Sequence, residues 1–276
     1  MSDGSRVAIV TGAAGGIGRA LVGGLLGAGL RVAAVDRTAD AFGPLAASVG
    51  DNPDLLMIAA DLGQDAAAGE IVREARGRFG KIDILVNNAG IGQATLRAEN
   101  WQRPLRFWDI SADDWRRFVA VHTTAPLLLA QAVVHDMVAA KWGRIVNITT
   151  SLGTMIRSGS PTYGPSKAAL EAFSAIMAKD LEGSGVTVNV LVPGGVTNTA
   201  MVPPEAGFDR AQMIQPETMA PPLVWLVSDA AAGVTGRRFL AVHWDAALSP
   251  EEAAEKAGAP VAWSGIATMP IEPPRN

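Results

Sequence analysis

The strongest constraint on the fold of this chain is the alternation of short apolar runs with longer amphipathic or alanine-rich stretches. The apolar runs are rich in Val and Ile, too short for helices and too continuously apolar for a sheet with one face in water. They lie at 7–10, 31–35, 55–60, 82–86, 144–148, 186–192 and 238–242. The helix-length stretches include 17–28, 66–79, 112–140 and 162–182. Such alternation predicts right-handed βαβ crossovers, and therefore one doubly wound α/β domain with a parallel sheet of about seven strands and helices on both faces.

Composition indicates a well-filled globular protein that handles small molecules. With 49% apolar and 18% charged residues and no Cys, the chain is unlike disordered, collagenous or disulfide-rich proteins. The net charge is −4 and the basic residues are scattered, so nothing favours nucleic acid or anionic lipid as a partner. No apolar run approaches the roughly 20 residues that span a bilayer, and the first residues leave no room for a signal peptide. We therefore expect a cytoplasmic enzyme or binding protein, with no membrane partner.

The length of 276 residues fits a single catalytic domain over 1–276, because α/β domains often reach about 250 residues as one unit. Three segments lie outside the alternation, and long loops in compact domains are usually functional or disordered. They are an inserted loop at 93–109, a segment at 199–220 that we expect to act as a substrate lid, and a C-terminal extension at 246–276. The three His residues are well separated in sequence, so we expect no metal site.

A glycine-rich turn follows the first apolar run. Its residues Gly12, Gly16, Ile17 and Gly18 lead directly into a helix. Glycine permits positive φ and lets backbone N–H groups approach an oxyanion, and the unpartnered N–H groups of a helix start favour phosphate. The turn therefore predicts a pyrophosphate site; the alternative is that a strand-to-helix turn needs glycine for its geometry alone.

Acidic residues end the second and third runs. Asp36 is placed to accept hydrogen bonds from both ribose hydroxyls of an adenosine, and a 2′-phosphate would meet like charge there, which favours NAD over NADP. Arg37 is the counter-argument, because it could lie over the adenine or meet a 2′-phosphate. Asp61, followed by Leu62, could accept from the adenine amino group or serve as a helix N-cap.

The chain contains one tyrosine, Tyr163, and Lys167 follows four residues later. On a helix this spacing places both side chains on one face. A phenol with a pKa near 10 is only about 0.1% ionised at pH 7, and a neighbouring ammonium and a cationic nicotinamide both favour the phenolate. The alternative is a surface pair without a role. Thr150 lies in a hydroxyl cluster just after the run 144–148, at the end of a parallel strand where ligands bind.

Four motifs in this order resemble the short-chain dehydrogenase/reductase family in its compact single-domain branch. They are Thr11-Gly12-x-x-x-Gly16-x-Gly18, Asn87-Asn88-Ala89-Gly90, Tyr163-x-x-x-Lys167 and Pro193-Gly194, and the resemblance covers about residues 5–245. It implies a Rossmann fold, a nicotinamide cofactor and a small alcohol or carbonyl substrate. In that family Tyr163 would be the general acid/base, and Lys167 would lower its pKa and bind the nicotinamide ribose. The family's Ser falls on Thr150, with Ser151 as the alternative, and would hold the substrate oxygen.

The resemblance also implies cofactor contacts. Asn88, Ala89 and Gly90 would line the adenosine side, with Asn87 structural, and Pro193, Gly194, Val196 and Thr199 would cover the nicotinamide and the phosphates. Two features depart from the family. His122 occupies the position of the family's Asn, which acts chiefly through its backbone carbonyl in a relay from Lys to solvent, so His122 is either a catalytic residue or a buried core histidine. The usual Asp-Gly-Gly ending is replaced by Val242-His243-Trp244-Asp245.

Together these features predict hydride transfer between a nicotinamide and a secondary alcohol or ketone. The alternative is a non-catalytic NAD-sensing regulator on the same fold, which would need neither Tyr163 nor Lys167. We expect the segments 93–109, 151–161 and 200–216 to form the substrate pocket. Within them, Trp101 and Trp108 suggest a hydrophobic or aromatic substrate, and Arg97, Arg103 or Arg106 could pair with a carboxylate; the loop could instead make subunit contacts. Family members are commonly tetramers, which implies a homotetramer or homodimer paired through 112–140.

Overall fold

All seven predicted apolar runs form parallel strands of one sheet. The computed structural model describes residues 5–264. The strands are β1 Val7–Thr11, β2 Arg31–Asp36, β3 Leu55–Ala59, β4 Ile84–Asn87, β5 Gly143–Ile148, β6 Val186–Val192, β7 Arg237–Leu240 and β8 Gly258–Pro260. Their order in the sheet is β3-β2-β1-β4-β5-β6-β7-β8. The strands β2 and β3 therefore lie on one side of β1, and β4 and the later strands lie on its other side.

The eighth strand corrects the prediction of about seven parallel strands. β8 pairs antiparallel with β7, with Phe239 opposite Gly258 and Arg237 opposite Pro260. A three-residue strand with Gly and Pro has no alternating pattern, and Pro is tolerated because β8 lies at the sheet edge. The described part of the predicted extension thus packs on the chain's own sheet, and residues 265–276 lie outside the described residues.

Helices cover both faces of the sheet, as predicted. They are α1 Gly16–Gly27, α2 Gly43–Val49, α3 Ala67–Phe79, α4 Ala112–Val119, α5 Ala125–Ala139, α6 Leu152–Met155, α7 Tyr163–Asp180, α8 Ala220–Leu226 and α9 Pro250–Ala257. Successive side chains of a strand point to opposite faces, so β1 contributes to two apolar layers. Ala8 and Val10 pack with α1, α8 and α9, whereas Val7 and Ile9 pack with α3, α5 and α7.

The stretch 112–140 is one continuous helical run with a π-helical turn, Ala120–Thr124, between α4 and α5. The run Ala112–Ala139 is long and apolar enough to cross a membrane by length and composition alone. The expectation that no stretch of the chain reaches this length overlooked it, because polar residues interrupt the apolar ones. In the fold, Leu129 and Val133 are fully buried in the layer that covers β4 and β5. Packing on the sheet therefore accounts for part of the apolar character of this run, whereas Trp115 and Val138 are exposed in the single chain.

The strand order places a crevice at the carboxyl ends of β1 and β4, where the chain reverses its direction across the sheet. The turn after β1 can approach the loop after β4 because Gly12 has a positive φ of 63° and no side chain. A Cβ at Gly12 would lie 2.7 Å from the Cα of Ala89. This close approach brings the predicted phosphate turn into the same crevice as the ends of the central strands.

Candidate active site

A cleft of about 720 Å³ lies at the carboxyl ends of the strands. It brings together all the predicted cofactor-binding residues and three of the four predicted catalytic residues. The predicted residues that line it are Gly12, Gly16, Ile17, Gly18, Asp36, Arg37, Asp61, Leu62, Asn88, Ala89, Gly90, Thr150, Tyr163, Lys167, Pro193, Gly194, Val196 and Thr199. Residues more than 150 positions apart in the chain therefore share one site, because parallel strands end at the same edge.

The start of α1 fits the pyrophosphate of a dinucleotide. Gly15, its N-cap, makes no side-chain capping bond, and the first turn contains no acidic residue. The first-turn N–H groups therefore face the cleft without a competing side-chain acceptor, and the helix dipole favours an anion there. Thr199 covers this turn, since a Cβ on Gly16 would lie 2.8 Å from Thr199 Cγ2.

A reciprocal set of hydrogen bonds fixes this turn against the loop after β4. The hydroxyl of Thr11 accepts from the backbone N–H groups of Asn88 and Ala89, each at 3.0 Å. The Asn88 side-chain amide donates to the carbonyl oxygens of Thr11 at 2.8 Å and Gly12 at 3.1 Å. Asn87 points elsewhere and donates to Asn147 at 2.8 Å in the core, which agrees with the prediction of a structural role.

The acidic residues after β2 and β3 lie at one end of the cleft. Asp36 accepts from the backbone N–H groups of Ala14 at 2.9 Å and Arg37 at 2.8 Å, so its carboxylate is held against the phosphate turn. The exposed side chain of Arg37 also lines this end. Asp61 accepts from the N–H of Gly63 at 2.9 Å in a turn, and Ala66 is the N-cap of α3, so the proposal that Asp61 caps this helix is wrong.

Tyr163 and Lys167 lie on one face at the start of α7, as predicted. Lys167 is buried, and its Nζ donates to the carbonyl oxygen of Ile148, at the end of β5, at 2.8 Å. Burial raises the pKa of Tyr163 to about 12, and a side-chain hydrogen bond with Thr150 acts in the lowering direction. Burial also lowers the pKa of Lys167 to about 8.

These pKa values differ from the sequence-based expectation of an acidic phenol. Desolvation disfavours the charged form of both side chains, and for Tyr163 this effect exceeds any help from the ammonium one helical turn away. In the protein alone, Tyr163 is therefore protonated at neutral pH. A protonated phenol is ready to donate a proton to a carbonyl oxygen.

The side chain of His122 is fully buried and is absent from the lining of the cleft, which contradicts the hypothesis of a catalytic side chain. Its Nε2 accepts from the N–H of Ile91 at 2.9 Å, and its Nδ1 lies 2.8 Å from Ser166 Oγ. Ser166 donates to the Tyr163 carbonyl at 3.0 Å, so His122 Nδ1 must be the donor in its bond with Ser166. His122 is therefore a neutral imidazole that connects the loop after β4 to the start of α7.

A buried ion pair that the sequence analysis missed lies behind Thr150. Glu171 and Arg238 are buried, with Arg238 Nε 3.0 Å from Glu171 Oε1. Glu171 also accepts from the Thr149 hydroxyl at 2.7 Å, and Arg238 donates to the Thr150 carbonyl oxygen at 3.0 Å. Two sequence signals were available, namely a carboxylate one turn after Lys167 and an arginine inside an apolar strand.

The three predicted substrate segments meet at the other end of the cleft. Gln93 donates through Nε2 to the carbonyl oxygen of Gly159 at 2.5 Å, and the Trp101 ring meets Phe208 edge-on with centroids 4.9 Å apart. Trp101, Arg117 and Arg157 line the cleft. Trp108 does not line it and is 69% exposed, so the prediction of a substrate contact fails for this ring.

The arginines predicted to bind a carboxylate are engaged elsewhere or lie outside the cleft. Arg97 donates to the carbonyl oxygens of Arg103 and Pro104 and lies 3.5 Å from Asp109, and Arg106 lies 3.4 Å from Ser158. None of Arg97, Arg103 and Arg106 lines the cleft. The cationic residues at this end are instead Arg117 and Arg157, because the loop folds back and packs its own arginines against its backbone.

The segment 199–220 is anchored at its middle. Ile214 forms a parallel bridge with Thr197 and exchanges backbone hydrogen bonds with Val196 at 3.0 Å and Asn198 at 2.8 Å. Met201, at its start, packs directly on Gly92, where a Cβ would lie 2.6 Å from Met201 Cγ. The first residues of this segment therefore line the cleft beside the loop after β4, and the role of the segment as a substrate lid stays a prediction.

Comparison with known proteins places the fold and cleft in one family. The family model described as short chain dehydrogenase matches residues 6–207. The chain belongs to the short-chain dehydrogenase family. It is 32% identical over 245 residues to a 3-oxoacyl-[acyl-carrier-protein] reductase from Synechocystis, which covers 85% of this chain and 94% of that protein. This short-chain dehydrogenase is therefore an oxidoreductase that transfers hydride with a nicotinamide cofactor and acts on a small carbonyl or alcohol substrate.

Two solved structures agree with this assignment. A 3-ketoacyl-(acyl-carrier-protein) reductase from Brucella melitensis, complexed with NADH, is 26% identical with a TM-score of 0.73 and covers 85% of this chain and 95% of its own. A protein from Beutenbergia cavernae, described as an NAD(P)-dependent gluconate 5-dehydrogenase with bound NADP at low occupancy, is 31% identical with a TM-score of 0.71 and covers 85% and 94%. The two neighbours bind different nicotinamide cofactors, so they leave the choice between NAD and NADP open.

The neutral imidazole of His122 gives a pH dependence of stability. Burial, and secondarily the charge of Lys167, hold the pKa of His122 well below its usual value of 6.5. Below pH 6.5 the unfolded chain binds a proton at His122 that the folded chain does not, so stability is present above this pH and is lost as pH falls. We expect this residue to remove about 1.4 kcal/mol of unfolding free energy per pH unit in that range.

The measurement is urea denaturation between pH 7.5 and about pH 5 for the wild-type protein and His122→Asn, which cannot titrate. The carboxylates contribute equally to both proteins, so the difference between the two pH slopes isolates His122. Parallel pH dependences would show that the imidazole is not held neutral.

Proposed function

We propose that this chain is an NAD-dependent dehydrogenase that interconverts a secondary alcohol and a ketone, with Tyr163 as the general acid/base. The observation that carries the proposal is the common cleft of Tyr163, Thr150 and the uncapped start of α1. A phosphate-binding turn and a phenol that line one crevice suit a dinucleotide whose reactive ring lies beside Tyr163. A regulator that only senses NAD would not need the second of these features.

Each residue has a separate task in this proposal. Thr150 and Tyr163 hydrogen-bond the substrate oxygen, and Tyr163, protonated at neutral pH, donates its proton when a ketone is reduced. In the oxidative direction the phenolate accepts the alcohol proton. The bound nicotinamide supplies or accepts the hydride. Lys167, held by the Ile148 carbonyl, acts as a fixed cation and as a donor to the nicotinamide ribose, and a backbone relay through residue 122 connects it to solvent.

Asp36 supports NAD over NADP. Two backbone N–H groups fix its carboxylate at the adenosine end of the cleft, so a 2′-phosphate would face a negative charge that cannot turn away. Arg37 lies beside it, and we propose that its exposed side chain lies over the adenine. Asp61 and Leu62 line the same end, where we propose that they contact the adenine.

Exposed apolar residues on α4, α5 and α7 support subunit pairing. Trp115 on α4, Val138 on α5 and Ile176 on α7 are all exposed in the single chain. We propose that the protein is a cytoplasmic homotetramer or homodimer paired through these helices. Such pairing would cover apolar surface that the packing on the sheet leaves open.

Replacing Tyr163 with Phe tests the proposed acid/base. The variant keeps the ring that packs edge-on against His122, with centroids 5.3 Å apart, and removes only the hydroxyl. We expect turnover to fall by about a hundredfold or more, because proton transfer is lost. NADH binding, measured by fluorescence titration, should stay nearly unchanged. A variant that retains more than about a tenth of the wild-type rate over a panel of secondary alcohols would exclude Tyr163 from this role.

Replacing Asp36 with Asn tests the cofactor choice. The amide oxygen can still accept from the Ala14 N–H, so the variant removes charge while retaining the anchor. We expect the wild-type enzyme to prefer NADH over NADPH in kcat/KM by about tenfold or more, which corresponds to about 1.4 kcal/mol, and Asp36→Asn to erase most of that preference. Asp40→Asn, an exposed acidic residue outside the cleft, is the control. Equal use of both cofactors by the wild type would contradict the proposal.

A further inference from the structure

We propose that the substrate carries an anionic group, in the simplest case a carboxylate, that Arg157 and Arg117 bind at the end of the cleft away from the adenosine site. This inference rests on the proposed function, because it concerns the substrate of the same cleft. It assigns a chemical class to a substrate that the tyrosine and lysine leave open, since these residues contact only the reacting oxygen and the cofactor.

Charge is distributed unevenly along the cleft. The acidic residues of its lining, within residues 5–264, are Asp36 and Asp61, which follow β2 and β3. The half beside Tyr163 is lined by the cations Lys167, Arg117 and Arg157, with no carboxylate from the described part of the chain. A concave site with charges of one sign concentrates ligands of the opposite sign. This half of the cleft therefore favours an anionic substrate.

Arg157 is held at the cleft by a cation–π contact with Trp101. Its guanidinium lies 5.1 Å from the centroid of the Trp101 ring, and its side chain forms no hydrogen bond or ion pair with residues 5–264. A cation–π contact holds a guanidinium over a ring without using its N–H groups, and these N–H groups match the two oxygens of a carboxylate. Arg116, next to Arg117 but outside the cleft, is by contrast paired with Asp113 at 2.7 Å.

The surroundings hold this arrangement before a substrate binds. The ring of Trp101 is fixed edge-on by Phe208 of the lid segment, and the side chain of Gln102 donates to the Glu205 carbonyl. The Gln93 amide fastens the inserted loop to Gly159, two residues after Arg157. Its Oε1 is buried without a hydrogen-bond donor from the described residues. Preorganised donors and acceptors reduce the entropy lost on binding, so this wall is suited to recognise a polar, charged end of the substrate.

The experiment compares hydroxy acids with their methyl esters. A series that begins with 3-hydroxybutyrate and methyl 3-hydroxybutyrate, and extends to 3-hydroxy-3-phenylpropionate and its ester, keeps the reacting alcohol and changes only the charge. We expect wild-type kcat/KM to favour the acids by about tenfold, the magnitude of one charge-assisted pair. Arg157→Gln and Arg117→Gln should bring the acid-to-ester ratio of kcat/KM towards one, because KM for the acids rises. Arg116→Gln is the matched control and should behave as the wild type.

The outcomes separate this inference from the proposed function. Turnover of esters and acids at equal kcat/KM, unaffected by Arg157→Gln, would overturn the inference and leave the dehydrogenase proposal intact. If neither series is turned over, the proposed function fails for these alcohols, and calorimetric titration of the NADH-bound protein with benzoate and benzamide decides the inference alone. Benzoate binding that is lost in Arg157→Gln would support it, and equal binding of benzoate and benzamide would overturn it.

A different observation concerns Thr150. We infer that Glu171 and Arg238 are positioning residues that fix the Thr150 hydroxyl relative to Tyr163. Arg238 holds the Thr150 carbonyl oxygen, and Glu171 holds the hydroxyl of the preceding Thr149. Glu171 stands on α7 two turns after Tyr163, so the pair connects the helix that carries the phenol to the segment that carries the second hydroxyl.

The desolvation penalty of burying Glu171 and Arg238 favours a role for the pair beyond stability. Both side chains are buried, and apolar residues of similar volume often stabilise a core as well as or better than a buried ion pair. The pair also reaches the end of the described chain, because Glu171 Oε1 accepts from the N–H of Ala262 at 3.1 Å. The network thus connects α7, β7 and the segment at Ala262 to the backbone around Thr150. Its hydrogen bonds are directional, and apolar packing cannot supply such directionality.

The test combines Glu171→Gln with Arg238→Met, so that neither charge is left buried alone. We expect kcat to fall about tenfold with the KM for cofactor unchanged, and we expect no further loss when the pair is removed in a Thr150→Val background. Arg237→Met, which removes an exposed partner of Glu255 on the same strand, is the control. A double variant with wild-type kcat would show that the pair serves stability only. The same conclusion would follow if removing the pair lowered kcat by the same factor in the Thr150→Val background as in the wild type.

Discussion

The close approach of the turn after β1 to the loop after β4 is the constraint on which the cleft depends. The two segments exchange hydrogen bonds through Thr11 and Asn88, and Gly12 leaves room for the backbone of Ala89. With these segments joined, the uncapped start of α1 faces the ends of the central strands. The proposed phosphate site and the proposed acid/base Tyr163, about 150 residues apart in sequence, can therefore contact one extended ligand.

Burial controls the chemistry at the catalytic end. It raises the pKa of Tyr163, lowers that of Lys167 and holds that of His122 well below its usual range, so all three groups favour their neutral forms more than they would in water. The protein stabilises these groups with directed hydrogen bonds, from Lys167 to the end of β5 and from His122 to Ser166. The site is therefore a set of desolvated groups in fixed positions, whose charge states respond to what binds beside them.

The family assignment and the substrate come from different parts of the molecule. The sheet, the glycine turn and the tyrosine and lysine agree with the short-chain dehydrogenase family, whereas the proposed substrate end is built from the inserted loop, the segment 199–220 and the segment before α7. In this chain those three segments contribute Trp101, which meets Phe208 edge-on and lies under the guanidinium of Arg157. We therefore propose that substrate specificity is encoded where the chain leaves the regular alternation of strands and helices.

The sequence by itself determined the seven parallel strands, the phosphate turn and the Tyr163 and Lys167 face, because each depends on a local pattern or a short spacing. It did not reveal β8, whose three residues have no periodicity, or the Glu171 and Arg238 pair, whose members lie 67 residues apart. Only the tertiary structure decided which arginines reach the cleft. It also decided that the pKa of Tyr163 is raised and not lowered, because desolvation depends on everything packed around a group and not on its neighbours in the chain.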